Sequence, residues 1–324
     1  MSYRSHLFSS AVAALAAIAI SGPAAAAGYP NRTITVVCAS GAGGAVDVTT
    51  RIIVDHMAKT LGQNMVVQNE PGAGGTISIN TVSKSAPDGY TLLSIGPSVS
   101  TIKELYPNAT VDAQRDLQPV SEIGFTPMVL MLHKDVPVKD YASLLAYIKA
   151  NPGKLTFASN GRGSAGHLAG SLFKKMAHAD LRYIPYRSTP QATADLLGGR
   201  VSMIWLSSLG NVGKSSSVHP IAVTLVGERW KMFPDVPTFD ELGLKGYEIA
   251  TWVSMYAPKN APPEVAEKLT AAVKAALADP QVQARLDKAG IVRPRQVGPE
   301  VLKKKLAHEI EKWGDILRTT KDSD

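Results

Sequence analysis

The sequence predicts an α/β protein of two domains built on mainly parallel sheets, and three observations carry that expectation. Short apolar runs rich in β-branched residues alternate with helical patterns along most of the 324 residues, the pattern of strands flanked by helices. With an N-terminal export segment set aside, roughly 300 residues remain, enough for two domains of about 150 residues each. Twice, a strand runs directly into a glycine-rich turn and then a helix start, at residues 40–44 and 160–167.

The export segment comes first. Arg4 and His6 precede an apolar run over residues 11–20, followed by Ser21, Gly22, Pro23 and four alanines. This is the form of a secretory signal peptide over residues 1–27, cleaved near Ala26 or Ala27. A membrane anchor needs about 20 apolar residues, and this run is shorter and ends at helix breakers. The mature protein is therefore expected in the periplasm, exported and not membrane-embedded. The single cysteine, Cys38, falls on an expected strand, so no intrachain disulfide can form and stability must come from a large core. Loss of Arg4 lowers the formal charge from +7 to +6. Such a surface is either generally basic or favours anionic ligands. No basic stripe interleaved with aromatics is present, which excludes nucleic acid as a partner.

Strands are expected at 33–38, 65–68, 90–95, 128–132, 155–159, 182–185, 201–206, 221–225 and 252–257, with room for a helix between most neighbours. Helical spacing of apolar residues is clear in Tyr141, Leu144, Leu145 and Ile148, and in Leu168, Leu172 and Met176. Two long helices close the chain. One carries Val265, Leu269, Val273 and Leu277 after Pro262 and Pro263; the other carries Leu302, Leu306, Ile310, Trp313 and Leu317 after Pro299. Turn clusters at 70–75, 87–89, 160–163 and 234–237 punctuate the chain without forming a free linker.

The first glycine loop, Ser40-Gly41-Ala42-Gly43-Gly44, precedes Asp47 and a helical pattern through Ile53 and Met57. Such a junction offers free backbone N–H groups and the positive end of a helix dipole, which together suit an anion; equally, the glycines serve a tight turn. Asp47 either caps and stiffens the loop or touches ligand. The second loop, Asn160-Gly161-Arg162-Gly163-Ser164-Ala165-Gly166-His167, repeats the arrangement and spells G-x-G-x-x-G. Its one candidate acid, Asp180, precedes the next strand, whereas a ribose-binding acid ends it, so no dinucleotide is expected. Residues 208–215 approach a phosphate-binding loop but lack its first glycine and a following helix. Histidines 56, 133, 167, 178, 219 and 308 show no metal-ligand spacing, and no nucleophile elbow is present. Ser164 and His167 are three residues apart at a helix start, a spacing of capping and packing as well as of a nucleophile and its base. Neither metal nor cofactor is implied.

Several ordered motifs carry a family likeness: Tyr29-Pro30-Asn31-Arg32-Thr33-Ile34, Gly43-Gly44-Ala45-Val46-Asp47, Asn69-Glu70-Pro71-Gly72-Ala73-Gly74-Gly75 and Ala86-Pro87-Asp88-Gly89-Tyr90-Thr91-Leu92-Leu93. Phe157-Ala158-Ser159-Asn160-Gly161-Arg162-Gly163-Ser164, Pro185-Tyr186, Asp195-Leu196-Leu197-Gly198-Gly199 and Pro234-Asp235-Val236-Pro237-Thr238 follow. Together they resemble, across the mature chain, the Bug family of solute receptors of tripartite tricarboxylate transporters.

The resemblance implies a type II periplasmic binding protein fold, with two α/β lobes hinged by two crossing strands near 123–126 and 249–252. The first lobe would hold 28–125 and 251–324, and the second 126–250. It further implies a monomeric receptor, not an enzyme, that captures a small organic carboxylate, aliphatic dicarboxylate or aromatic acid, for membrane permease subunits. A periplasmic sensor partner and an exported α/β hydrolase are the alternatives.

The implied ligand-binding set is Ser40, Gly41, Gly43, Gly44 and Asp47 from the first loop and Ser159, Asn160, Gly163, Ser164 and His167 from the second. Ser98 and Val99 join them after the third strand, with Arg187 and Trp205. Arg187 stands where the family usually has lysine. The first loop, reading Ala39, Ser40, Gly41, Ala42, lacks the family's usual prolines and aromatic, and Trp205 either supplies a stacking surface instead or is buried on a core strand.

Overall fold

The computed structural model describes residues 28–207, 209 and 212–319. The expected signal peptide and its cleavage site lie outside the described residues, as do Ser208, Gly210 and Asn211 of the phosphate-loop-like stretch. In chain order the strands are β1 (Ile34–Cys38), β2 (Met65–Asn69), β3 (Thr91–Ile95), β4 (Leu117–Pro127), β5 (Val129–His133), β6 (Thr156–Ser159), β7 (Arg182–Pro185), β8 (Met203–Leu206), β9 (Val218–Val223) and β10 (Ala250–Pro258). The helices are α1 (Ala45–Leu61), α2 (Thr76–Ser83), α3 (Ile102–Leu105), α4 (Ala113–Asp116), α5 (Tyr141–Ala150), α6 (Ala165–Ala177), α7 (Thr189–Leu197), α8 (Pro263–Ala278), α9 (Pro280–Lys288) and α10 (Pro299–Thr319).

These elements make two five-stranded mixed sheets, ordered β2-β1-β3-β10-β4 and β7-β6-β8-β5-β9. In each, three strands run parallel: β1 with β2 and β3, and β6 with β7 and β8. A further strand then enters antiparallel, β10 between β3 and β4 and β5 between β8 and β9. The parallel strands are joined through helices, which bury the apolar faces the sequence marks. Met57, Leu92, Val253 and Leu269 meet in the first core, and Leu130, Leu168, Phe173 and Phe239 in the second. Burying one such side chain contributes about 1.5–3 kcal/mol, so each sheet carries its own core.

The chain passes between the sheets where β4 gives way to β5 across Met128, and again at the start of β10. The two passages are themselves paired, Ala250 with Pro127, Thr251 with Thr126 and Trp252 with Phe125. Thr224 ties them to the second sheet: its hydroxyl donates to the Ile249 carbonyl and accepts the Met128 N–H at 2.9 Å.

Two features depart from expectation. Strand β4 was legible only as a crossing, because Pro119, Gly124 and Pro127 read as interruptions. It accommodates them through register shifts against β10, and Gly124 adopts φ 159°, with Ile291 and Thr49 too close for a side chain. The expected division also placed 251–324 wholly with the first lobe, whereas α10 packs on both lobes. Its 21 residues extend roughly 30 Å, burying Leu302 and Leu306 in a further first-lobe cluster with Val37, Leu93 and Trp252, and Trp313 and Ile316 in the second core. Lys175 pairs with Asp315 at 3.0 Å along the same contact.

Candidate functional site

The sequence turns sharply between β1 and α1 because Gly43 takes φ 79°, a conformation that costs glycine nothing. Asp47 then knits the turn: its carboxylate accepts the Gly43 N–H at 2.9 Å, Arg51 Nε at 3.0 Å and Asn69 Nδ2 at 2.8 Å. Asn69 also donates to the Ser40 carbonyl at 2.9 Å. Burial works against the Asp47 charge, but the hydrogen bonds from Arg51, Asn69 and Gly43 outweigh it and hold its pKa below the usual carboxylate value. Asp47 is buried and belongs to the loop's scaffold. The α1 N-cap, Gly44, provides no side-chain cap, so the first-turn N–H groups, which have no partner inside the helix, open toward the space in front of Ala45 and Val46.

The second loop is built from hydroxyls. Ser164 Oγ caps α6 by accepting the His167 N–H at 3.3 Å and donates to the Gly161 carbonyl at 2.7 Å. Ser159 Oγ lies 2.8 Å from Tyr183 Oη. His167 Nδ1 accepts the Gly163 N–H at 3.1 Å, and its ring packs on Tyr183 with centroids 4.7 Å apart. Ser164 and His167 therefore share a capping bond through the backbone, not the side-chain bond of a nucleophile and its base.

Both loops open on one cavity of about 520 Å³ between the lobes. Ser40, Gly44, Ala45 and Val46 border it from the first loop and the start of α1, and Ser159, Asn160, Ser164, Ala165 and Gly166 from the second loop and the start of α6. Ser98 stands on the 3-10 turn Pro97–Ser100 that follows β3. Among the described residues the lining contains two charged side chains, Arg162 and Arg187, and no carboxylate. Arg187 is exposed and has no ion-pair partner among the described residues. Such a wall, positive at both helix starts and at two guanidinium groups, suits an organic anion.

Of the expected ligand-binding residues, Ser40, Gly44, Ser98, Ser159, Asn160, Ser164, Arg187 and Trp205 border the cavity. Gly41, Gly43, Asp47, Val99, Gly163 and His167 do not. Gly43, Asp47 and His167 shape the two loops, and Gly41 accepts the Gly44 N–H. Val99 is buried in the first lobe beside Leu93 and Trp252. Gly163 marks where the lobes meet: a Cβ there would lie 2.8 Å from Thr101 Oγ1 and 3.0 Å from Leu105 Cδ1. The Trp205 ring is not a stacking surface in the cleft. It packs edge-on against Phe157, with centroids 6.0 Å apart, and tilted against Phe173 at 5.5 Å, because alternation along β8 turns its side chain into the second core.

Sequence reasoning missed Tyr106 and the turn Pro71-Gly72-Ala73-Gly74, which close the cavity on the first-lobe side. Tyr106 lies over Gly74, where a Cβ would come 2.5 Å from its ring. An aromatic wall is thus present, delivered by the segment after α3 instead of the first loop. Burial raises the Tyr106 pKa, and the nearby Arg162 charge opposes the rise. Tyr186, also in the lining, donates to Asp195 at 2.7 Å; burial and that carboxylate push its pKa up to about 12. The glycine run around Gly74 was a visible signal, but nothing local linked it to Tyr106.

Comparison with known proteins agrees with this geometry. The family model described as tripartite tricarboxylate transporter family receptor matches residues 49–321. The solved periplasmic binding protein BugD is 34% identical, covering 90% of this chain and 98% of its own, with a TM-score of 0.81. MatC from Rhodopseudomonas palustris, solved with bound malate, is 32% identical over 89% of this chain and 100% of its own, with a TM-score of 0.80. Another R. palustris protein, solved with adipate, is 29% identical over 90% of this chain and 98% of its own, with a TM-score of 0.83.

Proposed function

This chain belongs to the Bug family of tripartite tricarboxylate transporter receptors, and from that premise we propose that it captures a small aliphatic dicarboxylate in its interlobe cleft for delivery to membrane permease subunits. The observation that carries the proposal is the convergence of two helix N-termini on one cavity whose charged lining groups, among the described residues, are Arg162 and Arg187. One carboxylate of the ligand accepts hydrogen bonds from the first-turn N–H groups of α1 and α6. The second is met by the arginines, which both belong to the second lobe. The bound malate and adipate of two relatives support this class, and the Trp205 ring, packed into the second core, is not placed to stack on an aromatic acid.

The lobes divide at the paired crossings, 28–125 with the chain after 250 on one side and 126–250 on the other, with α10 strapping both. Ligand held by loops of opposite lobes favours the closed arrangement, in which Gly163 packs on Thr101 and Leu105. Binding followed by release to a permease, in the periplasm and without covalent chemistry, needs nothing further from the chain. The engaged Ser164 and His167 side chains speak against a hydrolase.

A melting-temperature screen of ligand-stripped protein against aliphatic and aromatic acids and their amides tests the reading. A ligand at 100 times its dissociation constant adds about 2.7 kcal/mol. A shift with a dicarboxylate that its diamide fails to give supports the proposal, and stabilisation by neutral or aromatic compounds alone overturns it. Replacing Arg162 and Arg187 together by alanine is expected to weaken a dicarboxylate about tenfold, a loss of roughly 1.4 kcal/mol. The matching monocarboxylate should change less than about threefold by titration calorimetry.

A further inference from the structure

A second groove lies outside the ligand cleft, between the segment after β9 and the segment after α9. It encloses about 370 Å³, and Trp230, Met232 and Ile291 are among its apolar lining. Its two walls come from different lobes. Trp230 Nε1 donates to the Gly290 carbonyl at 3.2 Å, and Met232 Sδ lies where a Cβ on Gly290 would stand, 2.0 Å from it. Each wall is also bonded to the hinge. Val292 exchanges both backbone hydrogen bonds with Phe125 of β4, at 2.7 and 2.9 Å. The opposite wall begins next to Thr224, which holds Ile249 and Met128. A change of hinge angle therefore has to change the groove.

The rim is chemically distinct. Of the four large apolar side chains that stand exposed among the described residues, Met232, at 44%, lines the groove, and Val226, at 42%, follows the lining residue Leu225 in the chain. Lys231, Arg293 and Arg295 line the groove, are exposed, and have no ion-pair or hydrogen-bond partner among the described residues. Arg229 is engaged with Glu241 at 3.0 Å. Against these cations stand Glu228 and Asp287, leaving the groove net positive. Unpaired cations around exposed apolar side chains fit an occupant of opposite charge with an apolar tip.

We propose that this groove is a docking surface for an acidic, apolar-tipped extracytoplasmic segment of a membrane transport protein, and that its two-lobed construction lets the partner sense hinge closure. The proposal rests on the receptor reading above. The test uses the mature protein and right-side-out membrane vesicles from its host, with liposomes of the same lipids as control. Wild-type protein is expected to sediment with the vesicles in a salt-sensitive manner and not with liposomes. Arg293→Glu combined with Arg295→Glu should reduce that binding at least fivefold, while the melting temperature and its shift with acids stay as in wild type.

Equal vesicle binding by the variant, or no binding by wild type, overturns the proposal. Equal binding to liposomes makes lipid the occupant, and a dimer abolished by the same substitutions makes it a second copy; either overturns the proposal as stated. Failure of the receptor reading is seen separately, as absence of any acid-induced shift in wild-type protein.

Discussion

Ala45→Pro is expected to weaken carboxylate binding about tenfold to a hundredfold while leaving the ligand-free protein as stable as wild type. Ala45 is the first residue of α1 and lines the cleft. Proline is well tolerated at a first helical position, where its missing N–H is not used by the helix. It requires an extended residue before it, and Gly44, at φ −74° and ψ 164°, is already extended. The substitution therefore removes a donor to the ligand without removing one from the fold. A hydrogen bond to a charged group is worth about 1.5–3 kcal/mol. Ala165→Pro does the same at α6, where Ser164 has φ −66° and ψ 157°. The pair together should lower affinity at least a hundredfold by calorimetry, with unchanged circular dichroism.

Lys305→Met is expected to reduce stability by about 3–5 kcal/mol, the usual consequence of leaving a buried charge without its partner. Glu122 on β4 is buried, and its carboxylate is paired with Lys305 Nζ of α10 at 2.7 Å. Lys305 also lies 5.1 Å from the centre of the Trp252 ring, so the pair fastens α10 to both hinge strands. Burial raises the Glu122 pKa, and Lys305 opposes the rise. A carboxyl whose folded pKa lies above its unfolded value destabilises the fold above the folded value, and the penalty is relieved as pH falls toward the unfolded one. Without Lys305 the penalty grows. Urea unfolding should show the variant recovering part of its deficit between neutral pH and the ordinary glutamate range near 4.5. Glu122→Gln in the same background should restore part of it at all pH values.

The sequence revealed strands and helices wherever apolar periodicity was uninterrupted, as in β1, β3, α6 and α8. It concealed β4, whose prolines and glycine are absorbed by bulges that only the partner strand β10 makes comprehensible. Both glycine loops were legible as anion sites because a strand, a glycine turn and a helix start lie contiguous in the chain. Trp205 stayed open between a stacking surface and a buried core position because which face of a strand meets the cleft depends on how the sheet is covered. Tyr106 and the Gly74 turn were missed because the contact joins segments about 30 residues apart. Asp47 was ambiguous from its sequence position; its bonds to the Gly43 N–H, to Arg51 and to Asn69, the last brought beside it by β2, make it a brace of the loop.

The most direct test of the central claim is a titration of ¹⁵N-labelled, ligand-stripped protein with the dicarboxylate identified by the melting screen, following the amides of Ala45, Val46, Ala165 and Gly166. These four are expected to shift together on binding the acid and to stay in place with the diamide. Saturable binding that moves amides elsewhere while these four stay fixed would contradict the claim.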